Sequence, residues 1–147
     1  LASIKAALIN SAKSFTQVAS LAGERVYPNR AFQGESQIPC VTIQVDTKDR
    51  FQRLDGFDDS LINEEFSIRA YAFDSATATT IGASLAEALE AIENTNITDA
   101  IAGNGRRVGS VILLDEQDDA EPLGELSDRM IHFYELRVQI HHTPIPA

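Results

Sequence analysis

The sequence predicts an α+β fold: a four-stranded, mainly antiparallel sheet with two helices packed on one face, in the order α-β-β-α-β-β. Three observations lead there. Residues 63–94, NEEFSIRAYAFDSATATTIGASLAEALEAIEN, change from two-residue alternation to a helical repeat across Asp74-Ser75. Residues 129–141 alternate cleanly, with Tyr134, Leu136, Val138 and Ile140 against Glu135, Arg137, Gln139 and His141. The links between the first and second strands and between the third and fourth read as hairpins, which makes the sheet antiparallel.

Residues 3–22 predict one amphipathic helix. Ser3 is its N-cap, Ile4, Ala7, Leu8, Phe15 and Val18 form its apolar stripe, and Gly23 is its stop. Val26-Tyr27 predicts a short strand ended by Pro28, followed by a loop with turn residues at Asn29 and Gly34. Cys40 to Val45 predicts the first main strand. Residues 46–60 are polar and charged, with an Asp55-Gly56 turn signal, and predict a long connection.

In the next strand Phe66, Ile68, Ala70 and Ala72 share one face. The small alanines let a helix lie close, and Ile81, Leu85, Leu89 and Ile92 repeat as that helix's buried stripe. After Asn94, NITDAIA reads as a short helical turn and Gly103-Asn104-Gly105 as a turn. Arg107 to Leu114 reads as a central strand, because Val111 to Leu114 is apolar on both sides. Residues 115–128 predict an acidic loop. The tail HTPIPA is expected not to extend the last strand, because proline lacks a donor. Thr42, Gln44, Arg69, Glu135, Arg137 and Gln139 fall on the sheet face away from the helices, where water or a polar partner is expected.

A chain of 147 residues, 44% hydrophobic and 23% charged, predicts a single domain over 1–147 with a substantial core. No apolar run is long enough to span a bilayer, and LASIKAALIN is amphipathic rather than a signal peptide. The lone Cys40 rules out an internal disulfide, sits in an apolar run that predicts burial, and fits a reducing compartment. The net charge of −10 predicts repulsion of nucleic acid, since capture needs clustered Lys and Arg.

No catalytic, cofactor or metal site is predicted. His141 and His142 are adjacent on a strand, point to opposite faces, and read as surface residues. Asp115, Glu116, Asp118, Asp119 and Glu121 lack the spacing and central glycine of a calcium loop. GNGRRVG precedes a strand, so no helix N-terminus is offered to a phosphate. No nucleophile elbow marks an activated serine. KDRFQRLDGFDD, residues 48–59, sets aromatics beside arginines as protein interfaces do. Its Arg50, Phe51, Arg53, Leu54, Phe57, Asp58 and Asp59 form a candidate subunit or partner interface. Phe51, Leu54 and Phe57 are equally consistent with folding back onto the core.

Residues 15–94 resemble the tail-completion, or tail-terminator, proteins of long-tailed bacteriophages and prophages. The resemblance rests on GERVYPNRAFQGESQIPCVTIQV, then LDG, then FSIRAYAFDSATATTIGASLAEALEAI. The carrying residues are Gly23, Arg25, Val26, Tyr27, Pro28, Pro39, Leu54, Asp55, Gly56, Tyr71 and Asp74. It covers a little over half the chain, and the acidic insert at 115–128 departs from it. It implies a two-helix, four-strand domain that assembles as a ring, usually a hexamer. Such a ring caps the tail tube, stops its polymerisation, and joins a head-closure protein in the virion after assembly in the host cytoplasm. DNA passes through its lumen, and no cofactor or enzymatic activity is implied. An acidic lumen or rim built from Asp115, Glu116, Asp118, Asp119 and Glu121 would let DNA slide without sticking. Two alternatives stand beside this: another neck or minor tail component, and a ligand-binding α+β regulatory module.

Overall fold

A computed structural model describes residues 4–28, 38–53, 56–98, 105–122 and 130–145, with only the backbone described at 49–53 and 56–60. Among these the elements run α1 (Lys5–Ala12), α2 (Thr16–Leu21), β1 (Val26–Pro28), β2 (Cys40–Arg53), β3 (Gly56–Ala72), α3 (Ser75–Ala91), β4 (Asn96–Ile97), β5 (Arg106–Pro122) and β6 (Met130–Pro144). The sheet order is β1-β2-β3-β6-β5-β4. β1 runs parallel to β2, and every other neighbouring pair is antiparallel.

The predicted four-stranded sheet with two helices in α-β-β-α-β-β order is therefore corrected. Among the described residues the sheet is six-stranded and mixed, curls into a half-barrel, and carries three helices. The two added pairings are too short to show as periodicity: β4 bonds β5 only through Asn96 and Ile97. Asn96-Ile97 is thus strand rather than the helical turn read from NITDAIA, and residues 99–104 lie outside the described residues.

The single N-terminal helix is corrected too. Phe15 is extended, at φ −66° and ψ 133°, and separates α1 from α2. Ser14 bonds back to Ser11 O through both its N–H and its hydroxyl, and Phe15 N–H reaches Ala12 O. These tightened bonds compete with a continuing helix. The bend lets Leu8 and Val18 both enter the core. Ser3, the predicted cap, lies outside the described residues, as do Asn29 and Gly34. Gly23 ends α2 at φ +61°, and its N–H joins that of Ala22 on Val18 O.

α3 forms as its sequence predicts. Asp74 accepts from Thr77 N–H at 2.7 Å, and Ala78, Ile81, Leu85 and Leu89 face the core. Gly82 is needed for close approach: a Cβ there would collide with the Tyr134 ring on β6. Helices and sheet share one core, with Phe66, Ile68 and Ala70 of β3 and Leu136, Val138 and Ile140 of β6 beneath them. α1 contacts β1, β2 and β4, which lie at opposite edges of the sheet. The sheet therefore wraps the helices, and its other face turns outward.

The strands are longer than predicted. The connection at 46–60 is corrected to strand: β2 and β3 pair from Cys40↔Tyr71 out to Arg53↔Gly56, with register shifts after Val45 and Arg50. The acidic loop is corrected likewise, since residues 115–122 belong to β5 and pair with β6 out to Pro122↔Met130. Polar residues on both sides hide the alternation that would mark a strand, but the backbone ladder does not need apolar side chains. β6 runs on to Pro144, because a strand's last residue can pair without an N–H.

Candidate functional site

Three regions concentrate polar chemistry or open surface. The first is buried. Glu64, His142 and Arg106, from β3, β6 and β5, meet under the start of α1, with Glu64 and His142 fully enclosed. The Arg106 Nε–H donates to His142 Nδ1 at 2.8 Å. Arginine has no acceptor, so Nδ1 carries no proton, and Nε2–H must be the donor to Glu64 Oε1 at 2.7 Å. The same oxygen accepts from Ile4 N–H at 2.9 Å. The chain of bonds fixes one imidazole tautomer and seats the helix start on the sheet. The reading of His142 as a surface residue is corrected. Strand alternation turns it to the helix side, with Ile140, and His141 to the outer side.

The second region is the outer sheet face. Thr42, Gln44, Asp46, Ser67, Arg69 and Tyr71 line a polar depression across β2 and β3. Arg69 sits at its end, donating from Nε to Glu135 Oε2 at 3.0 Å and from Nη1 to the Tyr71 hydroxyl at 3.2 Å. Partial burial works against the Arg69 charge, but Tyr71, then Glu135, more than offset it and raise its pKa above the ordinary value. Its guanidinium also lies 4.6 Å from the Phe133 ring centroid. Arg137 bonds Glu65 at 3.0 Å, and Ser67 donates to Asp46. The face is polar as predicted, except at one end, where Ile38, Cys40, Tyr71, Ile131 and Phe133 form a second apolar cluster. Its charged groups are already spent on one another, which suits a protein surface better than capture of a small ion.

The third region is the β5 edge. β4 bonds only Arg106 and Arg107, Val108 bonds Asn94 and Thr95, and the Glu93 carboxylate takes Val111 N–H at 3.0 Å. From Ile112 onward no strand among the described residues pairs with this edge. Ile112, Leu113 and Leu114 are 44%, 37% and 45% exposed. The expectation that this run lies centrally is corrected: among the described residues β5 has a full-length neighbour on one side only.

Asp115, Glu116, Asp118 and Asp119 are exposed on this same edge strand, and Glu121 is half-buried. Burial, then the Glu116 hydrogen bond at 3.1 Å and the nearby charges of Glu116 and Asp118, raise the Tyr134 hydroxyl above its ordinary pKa. Of the other predicted interface residues, Arg50, Phe51 and Arg53 lie on β2, and Phe57, Asp58 and Asp59 on β3. Leu54 and Asp55 fall outside the described residues. The two sets occupy opposite margins of the sheet rather than one site. Cys40 is buried, as its apolar run predicts. No group of His, Cys, Asp and Glu among the described residues is arranged to hold a metal ion. No helix among the described residues is long and apolar enough to cross a membrane.

No family model matches the chain, and no curated protein is significantly similar to it.

The residues that carry the tail-terminator resemblance have local structural work. Gly23 stops α2, and Arg25 clamps that stop to the β2 entrance, donating to Pro39 O at 2.8 Å. Val26 enters the core, and Arg25 O accepts from Val41 N–H. The buried Glu64–His142–Arg106 cluster was not legible beforehand. Only the helix-face position of Glu64, in line with Phe66 and Ile68, signalled a buried carboxylate in need of a partner.

Proposed function

We propose that this protein is a structural virion-assembly component, a tail-terminator-type subunit that forms a closed ring on the tail tube. Such a ring ends tube polymerisation and presents the joining surface to the head-closure protein, with DNA passing through its lumen. The observation that carries the reading is a sheet whose two margins, β2 beyond Ile43 and β5 beyond Val111, have no paired strand among the described residues. A subunit with two different open edges supports head-to-tail contacts, and such contacts close into rings when the rotation permits. The sequence resemblance over residues 15–94 supplies the tail context, and the hexameric number rests on it alone.

The test needs a polymerising tail-tube protein from the genome that encodes this chain. Purified protein added to growing tubes is expected to arrest elongation, leaving a ring visible at one tube end by electron microscopy. Tubes that grow to the same length distribution with and without it would overturn the proposal.

A further inference from the structure

We propose that the subunit contact is made by edge pairing, with β5 of one copy adding antiparallel to β2 of the next copy. This deepens the ring reading and rests on it for closure.

Four features of the two edges support a second copy as the occupant. First, the directions fit. β2, β3, β6 and β5 alternate up and down across the sheet, so β5 and β2 run oppositely. A copy related by rotation therefore sets its β2 antiparallel to β5, and the ladder continues without a break. Second, Val111 to Leu114 is the kind of continuous apolar run found in strands covered on both faces, yet Ile112 to Leu114 are exposed in the single chain. Third, the charges are complementary. Residues 115–121, DEQDDAE, hold five acids and no base, while residues 48–53, KDRFQR, hold three bases and one acid. Fourth, no strand pairs with a long stretch of either edge among the described residues, although on β5 the Glu116 and Ala120 N–H groups bond the neighbouring Asp115 and Asp119 carboxylates, which an added strand would have to displace. β1 covers only Val41 to Ile43 of β2, which leaves residues 44–53.

One register satisfies the charges. Placing Asp118 opposite Arg50 also places Asp115 opposite Arg53, because both pairs fall on the same antiparallel diagonal. Within one subunit Asp118 is level with Val41, through Tyr134 and Ala70. The register therefore staggers neighbouring copies by nine residues, about 30 Å of strand. Such a shear inclines strands to the ring axis, as it does in closed barrels.

Charge exchange tests this directly. One variant carries Asp115→Arg and Asp118→Arg; the other carries Arg50→Asp and Arg53→Asp. Circular dichroism first establishes that each is folded, and native mass spectrometry and electron microscopy then read assembly. Each variant alone is expected to need at least about tenfold more protein than wild type to form rings, because like charges face each other at every contact. An equimolar mixture is expected to recover wild-type assembly, since each variant's altered edge then meets an opposite charge. Rings that form equally well from either variant alone overturn the edge pairing and leave the ring reading standing. Open fibres that respond to the charge changes as described support the pairing and overturn closure. A wild-type chain that stays monomeric at every soluble concentration and on tail tubes overturns both. If a reversed variant does not fold, neutral Asp115→Asn with Asp118→Asn replaces it. Its assembly is expected to weaken in the same direction, and assembly equal to wild type overturns the pairing.

Discussion

His142 shows how much one enclosed residue can constrain. Its ring accepts from Arg106 and donates to Glu64, so two charged groups from different strands are joined through a neutral imidazole. Such a buried cluster is neutral overall only while both the carboxylate and the guanidinium are present. Replacing Glu64 with Leu removes the oxygen that both the His142 Nε2–H and the Ile4 N–H bond, in a fully enclosed site. The variant is expected to lose about 3–5 kcal/mol of unfolding free energy, read from urea titration. A loss below about 1 kcal/mol would mean that water reaches the cluster. Replacing Glu64, His142 and Arg106 together by apolar residues of similar size is expected to recover most of the loss, because no buried charge is then left over.

At the scale of elements, α3 is the segment whose sequence and structure agree most fully. Its cap, its stripe and its close contact through Gly82 all serve one packing arrangement. Asp74 is held below the ordinary carboxylate range, first by the Thr77 N–H and then by the Thr77 hydroxyl. The sign follows from that depression. The cap's contribution is fully present above the unfolded carboxylate value, about 3.9, and is lost as pH falls through the lower folded value. Asp74→Ala is expected to melt at lower temperature than wild type at neutral pH. The gap should narrow as the pH falls below the ordinary carboxylate range. Thermal melts across that range check it, and a gap constant with pH would assign the loss to something other than the ionised cap. α1 and α2 tell the opposite story. Their stripe, from Ile4 to Val18, is compatible with one straight helix; the break at Phe15, held locally by the Ser14 and Phe15 bonds, seats both Leu8 and Val18 in the core.

On the scale of the whole molecule, the charge of −10 is unevenly distributed, and the acids of β5 stand on one margin of the sheet while Arg50 and Arg53 stand on the other. Exposed charges are screened within about 10 Å at 0.1 M salt and about 3 Å at 1 M. Assembly through these edges is therefore expected to weaken as sodium chloride is raised from about 0.1 to about 1 M, measured by light scattering at fixed protein concentration. Assembly that strengthens with salt would point to an apolar face instead.

The residue pattern by itself determined the buried face of β3, the cap and stripe of α3, the alternation of β6, the burial of Cys40 and the stop at Gly23. Each of these follows from periodicity or from a local backbone preference, which neighbours in sequence are enough to express. Strand ends, strand neighbours and partners of buried polar groups were decided only in three dimensions. Residues 46–53 and 115–122 look like loops because their side chains are polar, but their backbones pair with strands already held by the core. Val111 to Leu114 reads as central, and only the sheet order shows it at a margin that is unpaired beyond Val111 among the described residues. His142 reads as a surface residue until Glu64 and Arg106, distant in sequence, are brought to it. Ladder pairing and charge satisfaction are contacts between remote segments, so no window of sequence contains them.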